Sequence, residues 1–333
     1  MANTQNENQD VLLSVENLSI GIREGKRVYP AVDGVSFQVQ RGEVLGVVGE
    51  SGCGKTVTNL AVMGLLPPSL SVTGGRILFA GQDLTALSEK ERNRVNGSRI
   101  SMIYQEPLTC LNPLLKIGTQ VGESLRIHES LPREEIRTRV EKALAEVGLP
   151  DPKALMDCYP HQLSGGQRQR VMIAMATICR PDLMIADEPT TALDVTVQAK
   201  ILRLLKHISV KHHMSILFIS HDLAVISQIC DRVMVMYAGK ICEVAGTDEL
   251  MRAPLHPYTK GLLRSIPTRD CRGQDLPAIG GHVPAVTEPR TPCPFADRCP
   301  LAVPLCREQA PVLAETAPGH FVSCHVIQKG GRL

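Results

Sequence analysis

Three short stretches of this 333-residue chain combine residue types that handle phosphate and a hard cation. Gly49-Glu50-Ser51-Gly52-Cys53-Gly54-Lys55-Thr56 has the spacing G-x-x-x-x-G-K-[ST] and follows the apolar run Val44–Val48. Its glycines let backbone N–H groups turn inward around phosphate oxygens, Lys55 brings positive charge to the β and γ phosphates, and the Thr56 hydroxyl suits Mg²⁺. The alternative is a glycine-rich turn between strand and helix that binds nothing. A second apolar run, 183–186, delivers Asp187 and Glu188 to its C-terminal end, where open α/β sheets place their ligands. Asp187 suits a water-mediated Mg²⁺ contact and Glu188 a general base for an attacking water, although such a pair alone reads as a helix cap. In Leu163-Ser164-Gly165-Gly166-Gln167, Ser164 is the expected N-cap, and the helix beyond it turns Val171, Ile173, Ala174, Met175 and Ile178 inward. The two glycines leave that helix N-terminus open to a second anion, or form a cap that binds nothing.

Such stretches need rigid elements on either side. Apolar runs bounded by turn residues at 44–48, 100–104, 183–186, 216–219 and 233–236 predict buried strands of an enclosed parallel sheet. Between them, Ile136, Val140, Leu144 and Val147 mark one face of a helix over 134–147, with Glu135 four residues before Arg139. Strands alternating with helices make an α/β fold. The alternation around 12–18, 35–39 and 76–80 predicts half-exposed antiparallel strands in a side sheet. Between residues 277 and 318 there are nine prolines in 42 residues, too many for helix interiors or central strands, so a separate, loop-rich element is expected there.

Composition narrows the function classes. Lys and Arg number 36 against 34 Asp and Glu, and a net charge of +2 creates no basic field for nucleic acid. Five Tyr, five Phe and no Trp leave few platforms for stacking bases. No apolar run approaches the roughly 18 residues of a spanning helix. The polar residues 1–10 lack the basic and apolar regions of a secretory signal, which predicts a cytoplasmic protein. In a reducing compartment the 11 cysteines are packing residues or metal ligands rather than a disulfide framework.

Taken together, the three motifs resemble those of ATP-binding cassette (ABC) proteins, and the resemblance covers essentially the whole chain. It implies an α/β fold with a P-loop nucleotide-binding domain: a RecA-like, mostly parallel sheet, an antiparallel side sheet and a helical subdomain at about 106–180. That domain would span residues 1–250, with a proline-rich C-terminal extension at 251–333. The resemblance implies ATP as substrate, with Mg²⁺ on Thr56, Asp187 and Gln105. Nucleotide on Gly49, Glu50, Ser51, Gly52, Cys53, Gly54, Lys55 and Thr56 of one subunit would be closed over by Ser164, Gly165, Gly166 and Gln167 of another. By resemblance, Gln105 in Tyr104-Gln105-Glu106-Pro107 is the Q-loop glutamine touching Mg²⁺ or the attacking water. Asp194 in Ala192-Leu193-Asp194 is the D-loop aspartate near the opposite site, and His221 is the switch histidine on the γ-phosphate. Taken singly, Gln105 reads as a surface amide and His221 as a satisfied histidine. The family stacks adenine on an aromatic upstream of the P-loop; Tyr29 is the one aromatic before Val35, and is either that platform or a packing residue.

His256-Pro257-Tyr258-Thr259 and the run 262–267 resemble the extension of ATPase subunits in bacterial oligopeptide, dipeptide and nickel importers. The implied partners are two transmembrane permease subunits, an extracytoplasmic substrate-binding protein and a second, paralogous ATPase subunit in a heterodimer. The implied place is the cytoplasmic face of the inner membrane, with no nucleic acid. Peptide is the first expectation for the cargo and nickel the second. The competing readings are an exporter subunit and a non-transport ABC ATPase acting on nucleic acid or the ribosome. Cys293, Cys299, Cys306 and Cys324 are spaced C-x5-C-x6-C-x17-C, without the close ligand pairs of structural zinc. That spacing resembles the cluster site of this importer subfamily, so a [4Fe-4S] cluster is expected, against the alternative of small buried cysteines.

Overall fold

The apolar runs are strands, as their composition requires. In the computed structural model, residues 10–105, 110–191, 193–266, 278–288 and 290–330 are described. Among them the strands are β1 Val11–Glu24, β2 Arg27–Gln40, β3 Val44–Val48, β4 Leu70–Phe79, β5 Gln82–Asp83, β6 Ile100–Ile103, β7 Leu183–Asp187, β8 Ser215–Ser220, β9 Arg232–Tyr237, β10 Lys240–Gly246, β11 Ala314–Ala317 and β12 His320–Val322. The chain forms two units: Met1–Leu12, Val39–Glu43 and Ala86–Phe218 in the first, Leu13–Gln38, Val44–Thr85 and Ile219–Leu333 in the second.

In the first unit β6 runs parallel to β7, from Ile100 opposite Leu183 to Ile103 opposite Ala186. Every residue of β7 is buried, and so is every residue of β8, the burial pattern of an interior parallel strand that needs no polar alternation. The predicted helix spans Arg133–Glu146 and buries Ile136, Val140, Ala143 and Leu144. Its Arg139 reaches Glu135 at 3.0 Å and Glu129 at 2.7 Å, exposed pairs that water screens and that add little to the packing of the buried face.

In the second unit β3 pairs parallel with β9, and β9 pairs antiparallel with β10. The side sheet is present: β4 pairs antiparallel with β1 and with β5. Strands at the end of the proline-rich stretch and just beyond it join the sheet that holds β10. The β11–β12 hairpin lies antiparallel, and β12 extends the β10 edge, with Glu243 opposite Val322. Pro311 and Pro318 flank β11, and β12 follows the last proline of the chain. A ring cluster fills the space beneath: Tyr237 stands edge-on to Tyr258 at 4.8 Å and to Phe295 at 5.2 Å between centroids.

The join contains a buried carboxylate. Glu243, fully buried, accepts from His320 Nε2 at 2.7 Å, from the Leu255 amide at 2.6 Å and from the His256 amide at 3.0 Å. Burial pushes its carboxyl pKa up, but these hydrogen bonds outweigh burial and hold it below the usual value. His256 caps the helix Pro257–Arg264, its Nδ1 accepting from the Tyr258 amide at 3.1 Å, which requires an unprotonated nitrogen.

Burial also pushes the His256 pKa down to about 4, although Glu243 opposes the shift. The unfolded chain therefore takes up this proton first as pH falls. The associated stability is complete above about pH 6.5 and is lost towards pH 4, by up to about 3 kcal/mol. Urea unfolding at pH 7, 5.5 and 4.5 should show that slope, and His256→Asn, which keeps a capping oxygen, should remove it.

Candidate functional site

The phosphate-type loop grows from the end of β3. Gly49 approaches β9 so closely that a Cβ would lie 2.2 Å from the Met236 carbonyl oxygen and 2.7 Å from Cys53 Sγ. Gly54 holds the left-handed N-cap of the helix Lys55–Met63, at φ 104°. Lys55, 7% exposed, turns back into the loop, and its Nζ donates to Gly49 O at 2.6 Å and Glu50 O at 3.0 Å. A buried ammonium must have such partners. Cys53 is buried beside it; burial raises its thiol pKa more than the Lys55 charge lowers it. Ser51, Gly52 and Thr56 are exposed on the outer side. The β9–β10 turn braces the loop from behind: Gly239 N–H donates to Cys53 O at 2.9 Å. Ala238 and Gly239 make this a two-residue turn with both φ values positive, 44° and 81°. A glycine cradle, a buried ammonium and the open N-terminus of a nine-residue helix fit a chain of phosphates.

Tyr29 lies half-buried on β2. Two residues on, Ala31 O comes within 3.4 Å of the Cβ position of Gly54 and 2.5 Å of that of Gly239, so this strand passes along the phosphate loop.

In the first unit the parallel register brings together two predicted residues. Ile103 is opposite Ala186, so two residues further on Gln105 faces Glu188, and Gln105 Nε2 donates to Glu188 Oε2 at 3.0 Å. Thr191 Oγ1 donates to the same oxygen at 2.9 Å. Asp187 is 5% exposed at the end of β7. Glu188 takes φ 46°, a left-handed conformation that a non-glycine residue holds under strain. Ser164 is the N-cap of the helix Gly165–Thr177, its Oγ accepting from Gln167 N–H at 3.3 Å while Gln167 Oε1 accepts from Ser164 N–H at 2.9 Å. Nothing lies within 4 Å of a Cβ at Gly165, so the helix start is open. Met172 and Ala176 are on the buried face, and Met175 is only half-buried. Asp194 caps the helix Val195–His212 by accepting from Val197 N–H at 2.9 Å. Glu106, Pro107 and Ala192 lie outside the described residues. In the second unit His221 is exposed just beyond β8, next to Asp222, which caps the short helix Leu223–Ile226.

Two residues not among the expected site residues also meet this loop. Glu50 N–H donates to the Tyr258 hydroxyl at 2.9 Å, and Arg298 donates to the Glu50 carboxylate from Nη1 at 2.8 Å and Nη2 at 3.2 Å. Burial pushes the Tyr258 pKa far up, so the hydroxyl stays neutral. The His256-Pro257-Tyr258 motif was a signal for the first of these contacts, and Arg298 carried none.

Known proteins resemble this chain in sequence and in fold. The profile of the family described as "ABC transporter" matches residues 32–191, and that of "Oligopeptide/dipeptide transporter, C-terminal region" matches 242–306. The chain is 49% identical over 314 residues to the dipeptide transport ATP-binding protein DppD of Bacillus subtilis, covering 94% of each. It is 46% identical to the oligopeptide transport ATP-binding protein AppD of the same organism, over 96% of this chain and 98% of the relative. Among solved structures, the dimeric cassette MJ0796 bound to ADP and Pi shares 26% identity at a TM-score of 0.64, covering 71% of this chain and 99% of that one. CbiO1 of Clostridium perfringens shares 29% identity at a TM-score of 0.64, covering 73% and 92%.

The expected [4Fe-4S] cluster is corrected. Among the described residues no group of three or more His, Cys, Asp or Glu could hold a metal ion, and these relatives are described as peptide-transport ATP-binding proteins, not iron–sulfur proteins. Cys293, Cys306 and Cys324 are buried and Cys299 half-buried. Burial, and after it the neighbouring cysteines, push the Cys293 pKa up to about 11 and raise that of Cys299.

The two kinds of glycine in the loop should respond differently to substitution. Gly49→Ala drives a methyl into the Met236 carbonyl and should cost about 3 kcal/mol. Gly52→Ala meets no neighbour within 4 Å but keeps φ 78°, and should cost about 1 kcal/mol. Urea unfolding of both variants checks the order.

Proposed function

The chain belongs to the ATP-binding subunits of the oligopeptide/dipeptide branch of the ABC transporters, and from that membership we propose that it binds and hydrolyses ATP to drive peptide import through membrane-embedded partners. The observation that carries this reading is the loop 49–56, where glycines, a helix N-terminus and the Lys55 ammonium converge. Phosphoryl transfer to water asks mainly for positioning and charge neutralisation, and these residues supply both.

Each residue has one task. The amides from Gly49 to Thr56 and the Lys55 charge hold the β and γ phosphates. The hydroxyl of Thr56, the carboxylate of Asp187 and the amide oxygen of Gln105 are donors of the kind that would hold Mg²⁺, which when bound would supply charge neutralisation on the transferring group. Glu188 accepts the proton of the attacking water, while Gln105 and Thr191 fix its Oε2. His221 donates to the γ-phosphate, and Tyr29 stacks on adenine. Ser164, Gly165, Gly166 and Gln167 present their helix N-terminus to nucleotide held by a second ATPase subunit, a paralogous chain, with Asp194 near that opposite site.

Residues 1–250 are assigned to the nucleotide-binding domain, with its helical subdomain at about 106–180, and 251–333 to the extension. No helix among the described residues is long and apolar enough to cross a membrane, so the path for cargo is assigned to two permease subunits, supplied by an extracytoplasmic binding protein. The ATPase then works at the cytoplasmic face of the membrane. The similarity to dipeptide and oligopeptide transport ATP-binding proteins favours peptide over nickel.

Substitution separates binding from chemistry. Glu188→Gln should bind MgATP as the parent does and turn it over at least about a hundredfold more slowly. Lys55→Ala should instead weaken nucleotide binding itself. Steady-state phosphate release and titration with a fluorescent ATP analogue measure the two effects, and near-parental turnover by Glu188→Gln would remove the base role.

A further inference from the structure

The phosphate loop is held from outside by the last third of the chain. Glu50 divides its three polar groups: its carbonyl oxygen accepts from Lys55, its N–H donates to Tyr258, and its carboxylate takes a two-pronged contact from Arg298. The Arg298 side chain is only 7% exposed, and its guanidinium lies 5.6 Å from the centre of the Tyr237 ring. Its other contacts go to Gly280 O from Nε at 2.8 Å, to Ile279 O from Nη2 at 3.2 Å and to the Tyr237 hydroxyl from Nη1 at 3.3 Å. All five N–H donors are thus engaged. A guanidinium saturated in this way has no donor left for a ligand; its task lies in what it fixes. The pair is also no surface ion pair, whose two side chains would wander in water.

We propose that Arg298 and Tyr258 are positioning residues for ATP, through which the C-terminal segment fixes Glu50 and so sets the shape of the phosphate loop. The proposal rests on reading loop 49–56 as the phosphate site. Glu50 is the loop's second residue, and its carbonyl orients the Lys55 ammonium. Without Arg298 the carboxylate loses its anchor, and a negative charge becomes free to move beside the phosphates. The expected loss is in nucleotide affinity, with the chemical step little changed.

The test uses the full chain, a fluorescent ATP analogue and steady-state ATP hydrolysis. Arg298→Ala should raise Kd and KM about tenfold with kcat within about threefold, and Arg298→Lys, which keeps charge but not the fork, should recover part of the loss. Glu50→Ala combined with Arg298→Ala should bind no worse than about twofold below the weaker single variant, because both remove one contact. Parental affinity in Arg298→Ala, or losses that multiply in the double variant, would overturn the proposal. If Arg298→Ala does not fold, Tyr258→Phe removes only the hydroxyl that accepts from Glu50; a Kd raised about threefold supports the proposal, and an unchanged one defeats it. Failure of the unsubstituted chain to bind the analogue would be a different result, one that removes the ATP reading itself.

Discussion

A buried ammonium sets the terms for the second unit. Lys55 can leave water only if oxygens replace its hydration, and the carbonyls of Gly49 and Glu50 do so at hydrogen-bond distance. Bringing both carbonyls to one nitrogen demands a tight loop, which excludes a side chain at position 49 and requires a left-handed cap at Gly54. A tight loop also needs a rigid wall. Strand β9 provides it at Met236, and the Ala238-Gly239 turn adds a hydrogen bond to Cys53. One charge thereby fixes the loop, the neighbouring strand and the turn at that strand's end.

The first unit solves a different problem, the placing of two polar side chains at the ends of buried strands. Parallel pairing keeps residues in step, so the register Ile103–Ala186 carries Gln105 to Glu188 without any further device. The turn leaving β7 is less relaxed. Glu188 holds a positive φ there, and Thr191 N–H closes the turn by donating to Glu188 O at 3.1 Å. Strain of about 1–3 kcal/mol at such a residue persists only where the surroundings over-determine it, and β7, buried throughout, is such a surrounding.

Local patterns were readable in the sequence because one stretch of chain contains all the information they need. The apolar runs, the Ser164 cap with Gln167 three residues on, and the helix face of Ile136, Val140 and Leu144 are of this kind. The pairing of Arg298 with Glu50 spans 248 positions and follows no period, so nothing in the sequence marked it. The cysteines show the opposite failure. Their spacing along the chain reads as a ligand set, but ligation depends on how side chains are placed in space, and no metal-holding group of three or more His, Cys, Asp or Glu is present among the described residues. Proline density reports on the loops of 277–318 and carries no signal for β12, which lies just past Pro318 and pairs with β10.

The join made by those strands explains why His256-Pro257-Tyr258 begins a helix where it does. Pro257 stands at the first helical position, where a missing N–H costs nothing, and His256 supplies the cap. The amide of His256 and that of Leu255 before it are spent on Glu243, which His320 also reaches from β12. With the start of the helix pinned to β10 in this way, Tyr258 has little freedom, and its ring is further confined by Tyr237 and Phe295. Its hydroxyl therefore meets the Glu50 amide from a fixed direction. The helix start that the motif marks and the hydrogen bond at Glu50 are thus tied to one buried carboxylate, so loosening Glu243 would be felt at Glu50 through the helix Pro257–Arg264.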